Sequence, residues 1–275
     1  MRKVRQVRLI LADDLDSILI AALLTPIVLV AGSPARALAG VAISSVGLSL
    51  PRLRRMPAFW FVLSALYGGW FLAEYHKADD HLALAAYWYL AIALSLLTNA
   101  KQVALRTNAR FLIGATFLLA FAWKLRSPDF ISGAFFEYEL LTDPRFAPIA
   151  QWVGGLSPEE LAANLGMISG APSTAHLVSS PRIQAIARGL TLGAVVVEPL
   201  VAVSWLSPAK WLRSARHVSL IGFCFLTYFV VPVAGFGIIL LAMALTHADS
   251  ANVRKNYFLG MAALYTWSAI WLSFW

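Results

Sequence analysis

The chain has 275 residues, of which 60% are hydrophobic and only 13% charged, and its mean hydropathy is +0.71. A soluble domain carries about a quarter charged residues, so the composition excludes an ordinary water-soluble enzyme and predicts one polytopic membrane domain over 1–275. The net charge of +8 sits at the ends of apolar segments, which the positive-inside rule explains without nucleic acid, and the single Cys224 excludes an intrachain disulfide.

The chain opens with Arg2, Lys3, Arg5 and Arg8, then places Asp13, Asp14 and Asp16 before any apolar run, unlike a cleavable signal peptide. Apolar segments follow at 17–33, 35–50, 58–75, 81–99, 110–126, 187–206, 218–246 and 257–275. They predict an all-α polytopic membrane protein: a bundle of about eight transmembrane helices with one outward-facing, partly helical loop. The second segment is short and rich in Gly and Ser, and it is expected to tilt or to cross only in part. The seventh is broken by Pro232, Gly235 and Gly237, so it is either one kinked helix or two half-helices.

Basic clusters set the orientation. Arg2–Arg8 residues precede the first segment, and Arg52, Arg54 and Arg55 follow the second. Lys101, Arg106 and Arg110 follow the fourth, and Lys210, Arg213 and Arg216 follow the sixth. All four clusters share one side if the N-terminus is cytoplasmic; Arg254 and Lys255 join them only if 218–246 forms a hairpin. Abundant Ala, Leu, Arg and Trp point to a bacterial inner membrane.

Residues 127–186 are too polar to span and are expected to form an outward loop or lid. Phe130, Phe135, Phe136 and Tyr138 among Glu137 and Glu139 read as an interfacial segment. Ser157-Pro158-Glu159-Glu160 reads as a helix start, with Ser157 and Glu160 forming a capping box for a helix over 158–166.

Within the apolar segments, three charge-capable positions stand out. Lys124 lies about 20 Å along its helix from Arg110, in a hydrocarbon core about 30 Å thick, where an amine must be paired, hydrated or neutral. A neutral lysine is a base and a nucleophile. The bland alternative is a lysine that snorkels to the interface or pairs with Asp129 or a glutamate. Asp79-Asp80-His81 opens the fourth helix at the outer face: one aspartate reads as its cap, and His81 as either structural or a proton shuttle. Glu198, before Pro199 in the sixth segment, is either a neutral hydrogen-bonding residue or a functional acid, and Glu74 and His76 are weaker candidates. No spacing of His, Cys or carboxylates predicts a metal. Antiparallel packing of the fourth and fifth segments would let His81 approach Lys124. Trp60, Trp70, Trp88, Trp123, Trp205, Trp211 and Trp275 read as belt and packing residues.

The string Ala122-Trp123-Lys124-Leu125-Arg126-Ser127-Pro128-Asp129-Phe130-Ile131-Ser132-Gly133 resembles the lysine motif of the HTTM domain, the transmembrane part of vitamin K-dependent γ-glutamyl carboxylase and small bacterial relatives. Asp79–Leu84 residues resemble a second motif of that family, and the stretch 194–200 a third, so that the resemblance spans roughly residues 55–245. It implies that Lys124 is the base that deprotonates a reduced quinone and that His81 stabilises the resulting charge. Asp79, Asp80 and Glu198 would tune their protonation. Trp123 stands where the family has a second lysine, Asp80 where it has Asn, and Phe130 where it has Trp. With no counterpart of the large peptide-binding domain expected, the resemblance implies chemistry on a lipophilic small molecule rather than on a peptide. The expected substrate is a prenylated quinol or another isoprenoid lipid held in a lateral apolar pocket near the outer leaflet, with deprotonation and O₂-dependent epoxidation as the expected chemistry. Two alternatives stand beside it. One is a terpene cyclase with an acidic residue as proton donor; the other is a non-catalytic membrane scaffold or accessory subunit.

Overall fold

The computed structural model describes residues 14–28, 34–73, 80–170, 177–228, 230, 231 and 233–273. Among these residues the chain is all-helical, without strands. Glu74, His76, Asp79, Trp275 and the basic N-terminal residues, all singled out from the sequence, lie outside the described residues.

The long elements follow the apolar segments: α1 (Asp14–Val28), α2 (Pro34–Ser49), a single turn α3 (Pro51–Arg54), α4 (Pro57–Ala73), α5 (Asp80–Leu96) and α6 (Lys101–Arg126). Short helices α7 (Pro128–Ser132), α8 (Ala134–Thr142), α9 (Ala147–Trp152) and α10 (Pro158–Gly170) connect to α11 (Pro181–Leu206), α12 (Lys210–Tyr228), α13 (Ala234–Ala244) and α14 (Ala251–Ser273). Two helices, α6 and α11, are long and apolar enough to cross a membrane; the other apolar helices are shorter, among them Pro57–Ala73 and Ala234–His247.

Three differences from the segment boundaries have local causes. Helix α6 starts at Lys101 rather than 110, because Lys101 to Arg110 contains good helix formers that continue the helix beyond the apolar run. Helix α11 starts at Pro181, where Ser180 accepts a hydrogen bond from the Ile183 N–H (3.2 Å) and Pro181 needs no partner. The stretch 218–246 is broken: α12 stops at Tyr228 and α13 begins at Ala234. Lys101, Arg106, Lys210, Arg213 and Arg216 therefore lie on helices, not in connections.

Helix α13 is the centre of the bundle. Every residue in it except Phe236 is buried, and it packs against α1, α5, α6, α12 and α14. After α13 the chain returns to the end where α12 begins: the Arg106 Nε donates to the Thr246 carbonyl (2.8 Å), and Asp249 pairs with Arg106 (3.3 Å) and Arg216 (3.8 Å). Helices α12 and α13 thus form a hairpin, which brings the chain before Arg254 to the same end as Arg106, Lys210 and Arg216. Trp60 and Tyr89 are fully buried between α4 and α5, and Tyr89 shares a 2.5 Å hydrogen bond with Thr25 of α1. Arg54, only 8% exposed, grips Asp16 through both carboxylate oxygens.

The connecting region 127–180 has a small core of its own: Leu140, Leu141, Phe146, Ala150 and Leu156 pack on Ile183 and Ala187, at the start of α11. The capping box is formed, with the Ser157 N–H donating to Glu160 (2.8 Å) and the Glu160 N–H to Ser157 Oγ (3.1 Å). The expected helix over 158–166 extends to Gly170.

Candidate functional site

Helices α6 and α11 pack closely, and a glycine makes that possible. A Cβ at Gly114 would lie 2.4 Å from Leu206 Cγ, so any larger residue there pushes the helices apart. The Arg110 guanidinium donates to the Leu206 carbonyl (3.4 Å), which sets these two positions level at one end of the pair. From that level, a rise of about 1.5 Å per residue carries Glu198 about 12 Å and Lys124 about 21 Å along the bundle. Helical side chains lean toward the helix N-terminus, and on antiparallel helices the two lean toward each other. They meet. Lys124 Nζ donates to Glu198 Oε1, joining α6 to α11 through an ion pair across 74 positions of sequence.

The surroundings of the pair are asymmetric. The Lys124 side chain is 25% exposed and the Glu198 side chain only 7%. The ammonium lies 5.2 Å from the Phe130 ring centroid, and Phe130 is itself buried against Phe135 and Phe136. Thr191 of α11 donates to the Phe130 carbonyl (3.3 Å), and Ser127 caps α7 through the Phe130 N–H (3.3 Å). Gly133 holds the turn between α7 and α8 at φ +87°, a conformation costly for any side chain. The aromatic segment foreseen as interfacial thus folds over the amine.

On the other side, Glu198 Oε2 is buried without a hydrogen-bond partner, and so is the Tyr228 hydroxyl. Tyr228, the last residue of α12, lies within electrostatic range of Glu198. Its ring meets Phe236 (6.5 Å between centroids), and Phe236 meets the His81 ring (5.7 Å). Lys124 and His81 therefore occupy one half of the bundle, linked through Tyr228 and Phe236, but His81 is not a partner of Lys124. Asp80 is the first residue of α5, and Asp79 lies outside the described residues. Of the five expected site residues, then, Lys124 and Glu198 are in direct contact, and two aromatic rings, Tyr228 and Phe236, lie between them and His81. Tyr228 was not among the residues the sequence singled out. The signal for it was its position just before the Pro232 break, where a buried helix end leaves a polar group inside.

Of the tryptophans singled out from the sequence, Trp60, Trp88 and Trp205 are buried, Trp70 is half-buried, and Trp123 and Trp211 are exposed. Cys224 is buried. Comparison with known protein families, with curated proteins and with solved structures finds no match for this chain.

Proposed function

We propose that the chain is a multi-pass inner-membrane enzyme in which the Lys124–Glu198 pair transfers a proton to and from a lipophilic substrate. Membrane placement is supported by the outward surface. Leu192, Val196, Leu200 and Val203 form an exposed apolar stripe along α11, and Phe111, Leu118, Leu119 and Trp123 an exposed apolar face on α6. A water-soluble bundle would bury such faces. The basic end of the bundle supports a cytoplasmic N-terminus by the positive-inside rule. In that frame the pair lies within the middle of a hydrocarbon core about 30 Å thick.

The observation that carries the reading is a cross-helix ion pair left incomplete. A purely structural pair in lipid gains by satisfying every lone pair, because an unpartnered buried oxygen costs about 1–3 kcal/mol. Here Glu198 Oε2 and the Tyr228 hydroxyl are both unsatisfied. They are suited to hold the oxygen of an enol, phenol or quinol that enters from the lipid. For Lys124 to act as a base, its proton passes to Glu198, and the free amine then takes the substrate hydroxyl proton. The charge of the resulting oxyanion is met by the ammonium. The resemblance of short motifs to those of the HTTM domain makes a prenylated quinol the substrate to test first. In a cyclase, Glu198 would carry the proton to an alkene, and only Oε2 is open for that, since Lys124 holds Oε1.

A second reading has its own support: Lys124 and Glu198 are each other's direct partners, as in a scaffold that only needs α6 and α11 held together. The two separate in nanodiscs supplied with a reduced prenylated naphthoquinone and O₂, the co-reactant that takes up the two electrons and two protons the quinol loses. The enzyme consumes the quinol and loses about 100-fold or more of that rate in Lys124→Met, with the fold retained. Equal rates in both proteins would leave the scaffold.

A further inference from the structure

At the opposite end of the bundle from His81, a cavity of about 390 Å³ is lined by Lys210, Arg213, Ser214, Arg216, His217 and Asp249. Four of these residues lie at i, i+3, i+4 and i+7 on the first two turns of α12, so the helix presents one polar, basic face to the cavity. Exposed Trp211 and Val218, at i−3 and i+4 from Ser214, flank that face and meet the hydrocarbon if the bundle is embedded. A water–lipid boundary running along α12 puts the cavity at the depth of lipid headgroups.

The lining has more positive charge than it neutralises. Asp249, its one carboxylate, is already engaged by Arg106 and Arg216. Lys210 and Arg213 are exposed and hold no carboxylate among the described residues. The Arg216 guanidinium lies over the Trp205 ring (5.8 Å) with its side chain only 13% exposed, and its Nε is buried without a partner. Stacking leaves the planar fork of an arginine free for bidentate contacts. Retention of positive charge at the cytoplasmic side explains why lysines and arginines are here, but not why they converge on a cavity beside a guanidinium whose Nε lacks a partner. We infer that this cavity binds a phosphate group, with Arg216 as the anchoring fork and Lys210 and Arg213 closing on the phosphate oxygens. A phosphate can arrive as the headgroup of an anionic lipid or as a soluble ion, and the chemistry of recognition is the same.

The site is independent of proton transfer at Lys124, and its test uses the full chain. In nanodiscs of phosphatidylcholine doped with phosphatidylglycerol, the protein released for native mass spectrometry retains phosphatidylglycerol. The exposed double substitution Lys210→Gln/Arg213→Gln lowers its affinity about 30-fold, while Arg126→Gln, the same kind of charge loss at the other end, leaves it unchanged. Displacement of the lipid by millimolar inorganic phosphate, or thermal stabilisation by phosphate in the absence of the lipid, assigns the site to the soluble ion. Resistance to phosphate assigns it to the headgroup. If neither phosphatidylglycerol nor inorganic phosphate binds, or if Arg126→Gln weakens retention as much as the double substitution, the inference falls.

Discussion

Lys124→Met removes the cation from an ion pair whose acid cannot leave. The Glu198 side chain is 7% exposed, its Oε1 loses its partner and its Oε2 has none to begin with. Leaving one member of a buried pair uncompensated costs about 3–5 kcal/mol. The lysine side chain is 25% exposed, which puts the loss at the lower end, about 3 kcal/mol. Unfolding entropies scale at about 2.1 cal/mol/K per residue, or about 0.6 kcal/mol/K for a chain of this length, so the melting temperature falls on the order of 5 °C. Glu198→Gln costs less, because Lys124 lies in the last turn of α6 and can swing its amine to the helix end. Lys124→Met/Glu198→Met removes both charges and returns to within about 1 kcal/mol of the parent. Tryptophan fluorescence during heating in detergent reads all three. A double variant no more stable than Lys124→Met, or a Lys124→Met chain that melts with the parent, refutes the reasoning.

Further substitutions test separate parts of the account. Gly114→Val drives a side chain into Leu206, costs about 1–3 kcal/mol and lowers the melting temperature, whereas Gly166→Val, at a position with open space around its Cβ, avoids that clash. Arg54→Gln leaves Asp16 with Arg55 as its remaining cation (3.3 Å), at a cost of about 1–3 kcal/mol by the same melting assay. Ser157→Ala breaks the capping box of α10 for about 1 kcal/mol, seen as faster amide hydrogen exchange confined to the start of that helix. Tyr228→Phe removes an unpartnered buried hydroxyl, so stability holds or rises, while quinol consumption falls if that hydroxyl holds the substrate.

Much of this architecture was legible in the sequence because apolar run length maps directly onto helices. Lys124 and Glu198 were each conspicuous as lone charges in apolar runs. A glutamate was one of the partners open to Lys124, but that it is Glu198 was not legible, for two physical reasons. The helices extend past the apolar runs at Lys101 and Pro181, so counting from run ends misplaces both residues in depth. The lean of side chains toward each helix N-terminus then brings together positions that backbone level alone sets apart. Opposite sign was the usable clue: few charges lie that deep in this chain, and a buried cation calls for a buried anion. The basic face of α12 was equally visible in the i, i+3, i+4, i+7 spacing of Lys210, Arg213, Ser214 and His217, but orientation alone accounted for its charge. Its convergence on a cavity needed the α12–α13 hairpin, which Pro232, Gly235 and Gly237 allowed without dictating.

Lys124→Met/Glu198→Met separates catalysis from support, since the substitution that removes the reacting amine also removes the charge its loss would strand. The decisive measurement is quinol consumption by this double variant in nanodiscs, beside its melting temperature. The account predicts a protein as stable as the parent that has lost its turnover of the quinol. A double variant that is stable and still turns over at the parental rate would contradict it, and so would a parent with no turnover at all.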